Sequence, residues 1–270
     1  MSRIVLAFLA LLACAALSAQ STCEIPSLYE PFLCGNQLEY DGYYYETAEI
    51  GGQCWFAENV RTTTYSNGDT ISSPIFESDW SNAFQTSTGS TVVYGFDSPY
   101  PWYGQMDCAT IWNNDSIVNG INYCDPAVNL NLYGRLYNYY AVLDERGICP
   151  SGWHISSQSE YDELLDFLDD LALNWTSLMS TDGWIFGDVH SDGNYSDEFG
   201  FGAMPGGVKS DGGTHDFIGA GGWGVWWTSF SDSLPNARHI MPSYQSPSYL
   251  FTSVNFPFGY GASIRCIKDQ

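Results

Sequence analysis

The cysteines that follow an N-terminal leader constrain this chain more than any other feature. Arg3 gives a minimal positive region, Ile4 to Leu12 is an unbroken apolar run, and Ala15-Ala16-Leu17-Ser18-Ala19 supplies small residues for cleavage between Ala19 and Gln20. Residues 1–19 therefore read as a signal peptide, because the apolar run is too short to span a bilayer. Leu11-Leu12-Ala13-Cys14 loosely resembles a lipobox, so lipoprotein processing at Cys14 is the weaker alternative. No later segment approaches transmembrane length, and a secreted or cell-surface protein with no membrane span is expected. Of 8 cysteines, the leader removes Cys14 and leaves Cys23, Cys34, Cys54, Cys108, Cys124, Cys149 and Cys266. None forms a C-x-x-C and no histidine sits at a zinc-like spacing, so disulfides are the expected chemistry in an exported chain. The number is odd, which leaves one thiol over, and spacing alone does not give the connectivity.

About 250 mature residues suit one large domain or two small ones. The 44% hydrophobic and 16% aromatic content is ample for a core. With 31 acidic against 8 basic residues the formal net charge is −23, which argues against nucleic acid or an anionic membrane as partner. No long acidic block accompanies the imbalance, so solubility outside the cell accounts for it.

Residues 20–36 read as a Pro-containing lead-in, and the domain is expected over 37–270. Tyr43 to Ile50 is a β-type run ending at Gly51-Gly52, and Thr91-Val92-Val93-Tyr94 is a second, inside a Ser/Thr/Gly/Asn/Pro-rich stretch (62–132) expected to be mostly loop. Two helices are expected. Arg135 to Glu145 places Leu136, Tyr139, Tyr140 and Leu143 on one face and stops near Gly147 and Pro150. Ser157-Gln158-Ser159-Glu160 is a capping box, followed by Tyr161, Leu164, Leu165, Leu168 and Leu171 at helical spacing. The acids between them form a solvated face. Further short strands are expected at 224–229, 249–254 and 262–267. Two helices on short antiparallel strands with long ordered loops make an α+β domain.

Six blocks add a resemblance. Gly52-Gln53-Cys54-Trp55-Phe56-Ala57-Glu58-Asn59-Val60-Arg61-Thr62-Thr63, Tyr133-Gly134-Arg135-Leu136-Tyr137-Asn138-Tyr139-Tyr140-Ala141-Val142 and Cys149-Pro150-Ser151-Gly152-Trp153-His154-Ile155 come first. Phe201-Gly202-Ala203-Met204-Pro205-Gly206-Gly207, Trp226-Trp227-Thr228-Ser229 and Ser263-Ile264-Arg265-Cys266-Ile267-Lys268-Asp269 follow in the same order. Together they resemble the Fibrobacter succinogenes major paralogous domain family over residues 34–269. The resemblance implies a C-type-lectin-like fold, distantly similar to formylglycine-generating enzymes, in exported bacterial proteins. It also implies a Cys149–Cys266 disulfide that draws the domain ends together. With that pair set aside, Cys108–Cys124 is expected as a local bridge across the loop-rich stretch, and Cys34 and Cys54 flank the first β-type run and could pair across it. Pairing them leaves Cys23 as the odd thiol and a route to a disulfide-linked dimer. Pairing Cys23 with Cys34 would instead leave Cys54 free beside Trp55.

Catalytic signatures are thin. Gly219-Ala220-Gly221-Gly222-Trp223-Gly224 matches G-x-G-x-x-G, but strand-like Val225-Trp226-Trp227 follows where a dinucleotide loop needs a helix. There is no G-x-S-x-G and no H-E-x-x-H. His154 reads as a structural residue. Trp112-Asn113-Asn114-Asp115 lacks the partners and position of a calcium-dependent sugar site. Closely spaced oxygens at Asp188, Asp192, Asn194, Asp197 and Glu198 are the metal candidate, for calcium, though not at EF-hand spacing. Trp and Tyr faces stack on sugar rings, and Trp223, Tyr244 and Tyr249 are the candidate ligand-binding residues among Gly-rich loops. The expected function is recognition of an extracellular glycan or surface protein without catalysis. A carbohydrate-active enzyme or a structural, adhesive surface protein are the alternatives.

Overall fold

The structure, a computed structural model, describes residues 32–74, 77–95, 117–118, 121–122, 125–184, 195–210, 217–229, 236–240, 250–254 and 256–270. The chain divides into Met1–Leu33 and Cys34–Gln270, and all the secondary structure described lies in the second unit. In chain order its first strands are Leu38–Tyr40 (β1), Tyr43–Tyr45 (β2), Thr47–Ile50 (β3), Gln53–Phe56 (β4), Thr91–Val92 (β5), Ile117–Val118 (β6), Ile121–Asn122 (β7) and Leu136–Asn138 (β8). Then come Trp153–Ile155 (β9), Gly206–Lys209 (β10), Phe217–Ala220 (β11), Gly224–Trp227 (β12), Asn236–Ile240 (β13), Leu250–Val254 (β14), Gly261–Ala262 (β15) and Cys266–Lys268 (β16). The helices are Glu77–Gln85 (α1), Pro126–Tyr133 (α2), Tyr139–Val142 (α3) and Gln158–Asp170 (α4). This is an α+β domain.

Turn chemistry opens it. β1 and β2 form a hairpin whose turn residues Asp41 and Gly42 both have positive φ, 49° and 75°. That is the conformation for which Asp-Gly is suited. Gly51-Gly52 (φ 60° and 82°) turns β3 into β4 in the same way. The run from Tyr43 to Ile50 is therefore two strands in two sheets. Thr47 and Ala48 are both buried, so the in–out alternation slips there and the chain changes sheet.

β3, β4, β16 and β9 make an antiparallel sheet in the order β3-β4-β16-β9. α4 covers it as the capping box requires: Ser157 N–H donates to Glu160 Oε2 (2.7 Å), and Glu160 N–H to Ser157 Oγ (3.2 Å). Tyr161, Leu164 and Leu168 join Ile50, Trp55, Trp226 and Ile267 in the core beneath it, closed by Trp175, Met179 and Phe201. Leu165 is only partly buried and Leu171, at the C-cap, is exposed. Two disulfides brace this region, Cys34–Cys54 and Cys149–Cys266, the second closing a separation of 117 residues.

A second antiparallel sheet runs β11-β10-β15-β8-β5, with Trp80 of α1 and Tyr133 of α2 packed among Val92, Tyr94, Leu136 and Ala220. β12, β13 and β14 form a third sheet, and β6–β7 a two-stranded ladder.

The helix expected over Arg135–Glu145 is a correction. Leu136–Asn138 is a strand paired with β5 and β15, and only Tyr139–Val142 is helical. All three strand residues are buried, so both faces are covered and their spacing carries no period. Leu143 is exposed rather than core-facing. The stretch 62–132 is also not simply loop, since it holds α1 and most of α2. The domain thus has four helices among the described residues, not two. α2 was legible as Asp125-Pro126, an N-cap whose carboxylate accepts from Ala127 N–H, with proline at the first helical position. Within Ser78–Gln85 of α1 only Trp80 and Ala83 are buried, too few for a pattern.

Candidate functional site

The blocks that stand out in the sequence converge on one buried polar hub. Arg265, between β15 and β16, is 0% exposed. Its guanidinium donates to Asn59 Oδ1 (2.9 Å), to the carbonyls of Phe56 (2.8 Å) and Phe201 (2.5 Å), and to that of Gly202 (2.6 Å). Its Cζ lies 4.6 Å from the Phe201 ring centroid. Burial pulls its pKa down to about 10, which still leaves it charged at neutral pH. Asn59 completes the hub. Its oxygen also accepts from Trp226 Nε1 (2.7 Å), and its amide donates to the Tyr133 carbonyl (2.9 Å) and Ser263 Oγ (3.3 Å). At Gly202 a Cβ would stand 2.5 Å from the Ala57 carbonyl oxygen, so only glycine lets that turn reach the arginine. Every donor and acceptor named here is spent on another part of the same domain, so the hub holds segments together and offers nothing to a ligand.

A different set of residues does face outward. α1, α3, β12 and the turn 256–260 link aromatic rings into a row that surfaces at Phe84, Tyr140 and Phe258 and again at Phe256 and Tyr260, and runs between the two through buried rings. Centroid distances are 6.3 Å for Phe84–Tyr140, 5.5 Å for Tyr140–Phe258 and 5.1 Å for Phe258–Tyr139. The row continues through Tyr139–Trp227 (4.8 Å), Trp227–Phe256 (5.1 Å) and Phe256–Tyr260 (5.1 Å). Tyr139 and Trp227 are buried and form its floor. Phe84 is exposed, and Tyr140, Phe256, Phe258 and Tyr260 are half-buried. The Tyr139 hydroxyl has no hydrogen-bond partner, and desolvation pushes its pKa up to about 12.

Hydrogen bonds brace the frame under these rings. Tyr139 N–H donates to the Phe258 carbonyl (3.0 Å), Trp80 Nε1 to that of Gly259 (2.8 Å), and Tyr260 N–H closes the turn on Pro257 (2.9 Å). Asn138 caps α3: its oxygen accepts from Ala141 N–H (3.1 Å) and Ser90 N–H (2.9 Å), and its amide donates to the Thr88 carbonyl (2.8 Å). Sequence reasoning passed over Phe84, Tyr140 and Phe258. The one local signal was Phe256-Pro257-Phe258-Gly259-Tyr260, a turn sequence unusually rich in rings.

His154, on β9, bridges two carboxylates. Nε2 meets Glu160 Oε1 and Nδ1 meets Asp269 Oδ1, each at 2.7 Å. The hydrogen bond to Glu160 is the main reason its pKa is pushed up to about 9, so it is an imidazolium near neutral pH. Burial raises the Glu160 pKa, but bonds from His154 and Ser157 outweigh it and the net shift is downward. The trio ties the start of α4 to the C-terminal end, a structural clamp with both ring nitrogens occupied.

Of the ligand-binding candidates, Trp223 is half-buried, its indole laid against Gly219, where a Cβ would come within 2.6 Å of it. Trp223 N–H bonds the Gly219 carbonyl (2.7 Å) and β12 follows directly, so the G-x-G-x-x-G segment is a tight turn into a strand. Tyr244 and Tyr249 lie outside the described residues. So do Asp188, Asp192 and Asn194 of the calcium candidate. Asp197 Oδ1 accepts from Gly202 N–H (2.8 Å), and Glu198 is exposed. Among the described residues no three His, Cys, Asp or Glu side chains are grouped to hold a metal ion. No helix among them is long and apolar enough to cross a membrane. Cys23, Cys108 and Cys124 also fall outside the described residues.

A family model, the Fibrobacter succinogenes major domain, matches residues 48–268. No curated protein and no solved structure matches the chain.

Proposed function

The chain belongs to the Fibrobacter succinogenes major domain family, and we propose that it is an exported recognition module that binds a glycan or a surface partner without catalysis. The observation that carries this reading is the aromatic row. Half-buried rings held in place by backbone hydrogen bonds are the apolar faces that recognition uses, and they lose little entropy on binding. Trp223, Tyr244 and Tyr249 are a second proposed face. A C-type-lectin-like arrangement belongs to the same proposal. It is supported by the Cys149–Cys266 bridge, which ties the C-terminal strand to the segment ahead of α4.

Export accords with the two disulfides, which persist outside the reducing cytosol. Calcium at Asp188–Glu198 would relieve carboxylate repulsion. It is tested by calorimetry, where saturable binding and a raised unfolding temperature are expected, and unchanged melting at millimolar calcium removes it. For the main reading, oxidised full-length protein is screened against a glycan array and a panel of surface proteins. Saturable binding that phenylalanine or tryptophan substitutions on either face abolish is the expected result. Turnover of a carbohydrate, lost on changing a single Asp or Glu, would replace this reading with an enzymatic one.

A further inference from the structure

We infer that Arg135 anchors a binding site for one small oxyanion, a carboxylate or a group of like shape and charge. The site owes nothing to the aromatic row, and the failure of either leaves the other standing.

The base of the side chain has a fixed place. Gly134 ends α2 with φ 71°, and a Cβ there would lie 2.9 Å from the carbonyl oxygens of both Asn59 and Val60. Arg135 N–H then donates to the Val60 carbonyl (3.0 Å), and the next three residues are buried as β8. Arg135 itself is half-buried.

Its guanidinium differs from the others whose side chains are described. Arg61 is answered by Glu58 and by the carbonyls of Leu130 and Asn131. Arg146 is answered by Asp69 and Asp144, and Arg265 by the buried hub. Among the described residues no hydrogen bond or ion pair reaches the Arg135 side chain, although the chain has 31 acidic residues. Its Nε is sealed from water without an acceptor. That is an uncommon and costly state for a donor on a cation. The two terminal nitrogens, equally unbonded, are not sealed and open to solvent.

The neighbouring groups are committed elsewhere. The carbonyls at the end of α2, natural partners for a cation, are taken by Arg61. Tyr137, two residues on, is no counter-ion: burial pushes its phenol pKa well up, and the neutral hydroxyl donates to the Thr62 carbonyl (2.7 Å). A planar fork with two open terminal nitrogens matches the paired oxygens of a carboxylate. A neutral ligand would leave the charge unanswered. The net charge of −23 repels a polyanion. One small anion meets less of that field, since charges beyond about 8 Å are largely screened at physiological ionic strength.

The test is an NMR titration of the oxidised full-length chain at constant ionic strength. Glucuronate, acetate, phosphate and sulfate are the probes, with glucose as the neutral control. The Arg135 Nε–H resonance, assigned by its loss in Arg135→Lys, and the backbone amides of residues 134–136 are followed. Saturable shifts with glucuronate and none with glucose are expected. Glucuronate alone identifies an anion carried on a sugar, whereas equal response to acetate or phosphate identifies a free one. Arg135→Gln should lower the affinity at least tenfold without lowering the melting temperature, because the stranded Nε–H goes with the side chain. Arg135→Lys, which keeps the charge without the fork, should lower it severalfold and keeps the test valid if the glutamine variant unfolds. Absence of a saturable shift with every oxyanion overturns the inference, as does affinity that a folded variant retains in full.

Discussion

The Arg265 hub and the aromatic row lie only a few residues apart along the C-terminal segment, yet they solve opposite problems. In the hub, one cation is buried completely and every partner is a fixed internal group: three carbonyls and Asn59. A desolvated charge survives only with such full satisfaction, so nothing is left for a ligand. In the row, Phe256 to Tyr260 turns outward and its rings are only half covered. Its backbone is tied down by hydrogen bonds, but its side chains are not spent. The difference separates what makes the domain fold from what it can touch. The blocks by which the sequence is recognisable feed the hub, and most rings of the row lie outside those blocks.

Changes at four places sharpen or break that contrast. The largest effect is expected at Arg265. Arg265→Met should cost about 3–5 kcal/mol, since it strands several buried acceptors in a dry site. Arg265→Lys, lacking the planar fork, should recover only part of this. Urea unfolding checks both, and a loss below about 1 kcal/mol would show that the hub is not a stability centre.

Cys149→Ser combined with Cys266→Ser comes next. For a bridge across 117 residues the loss should be about 2–5 kcal/mol. Any ligand binding by the row should persist in the variant at 25 °C, because the bridge ties β16 to the segment ahead of β9, and no ring of the row lies in the β3-β4-β16-β9 sheet. Loss of binding at full folding would erase the distinction between the two regions.

Asn138→Ala acts where they meet. It removes the cap of α3 and leaves the Ser90 N–H without its acceptor, for about 1–2 kcal/mol. Binding should weaken beyond what the melting temperature explains, because Tyr139 and Tyr140 start the helix it caps.

The smallest effect is at His154. Its pKa rises from 6.5 to about 9 on folding, so its contribution is complete below pH 6.5 and disappears as pH climbs through 9. Glu160 and Asp269 are the carboxylates facing it. With the side chain 43% exposed, solvent screening holds the contribution under about 1 kcal/mol. The melting temperature of the native chain should drift down between pH 6.5 and 9, and that of His154→Gln should not. Parallel curves would deny the clamp any role.

Local devices were legible and long-range ones were not. The capping box at Ser157 gave α4 because both of its hydrogen bonds close within three residues. Residues 135–145 misled because Leu136, Tyr139, Tyr140 and Leu143 fit a helical stripe by chance, while the strand at 136–138 exists only through its partners β5 and β15. Among the site residues, Trp227 could be placed in a strand. The pairing of Phe84 with Tyr140 and of Tyr140 with Phe258 had no trace in spacing, since the three come from separate elements.

By itself, then, the sequence determined the α+β class, the family, the capped helix and, through the family resemblance, the Cys149–Cys266 bridge, because caps act within a few residues and six blocks in fixed order are hard to match by accident; the pairing of Cys34 with Cys54 was left open until the structure. Tertiary structure alone decided that Arg265 would meet Phe56 across 209 positions and Phe201 across 64, and that rings from two helices and a turn would share one surface. Those contacts depend on how three sheets are laid against each other, and that is set by the burial of the whole core rather than by any segment's own preference.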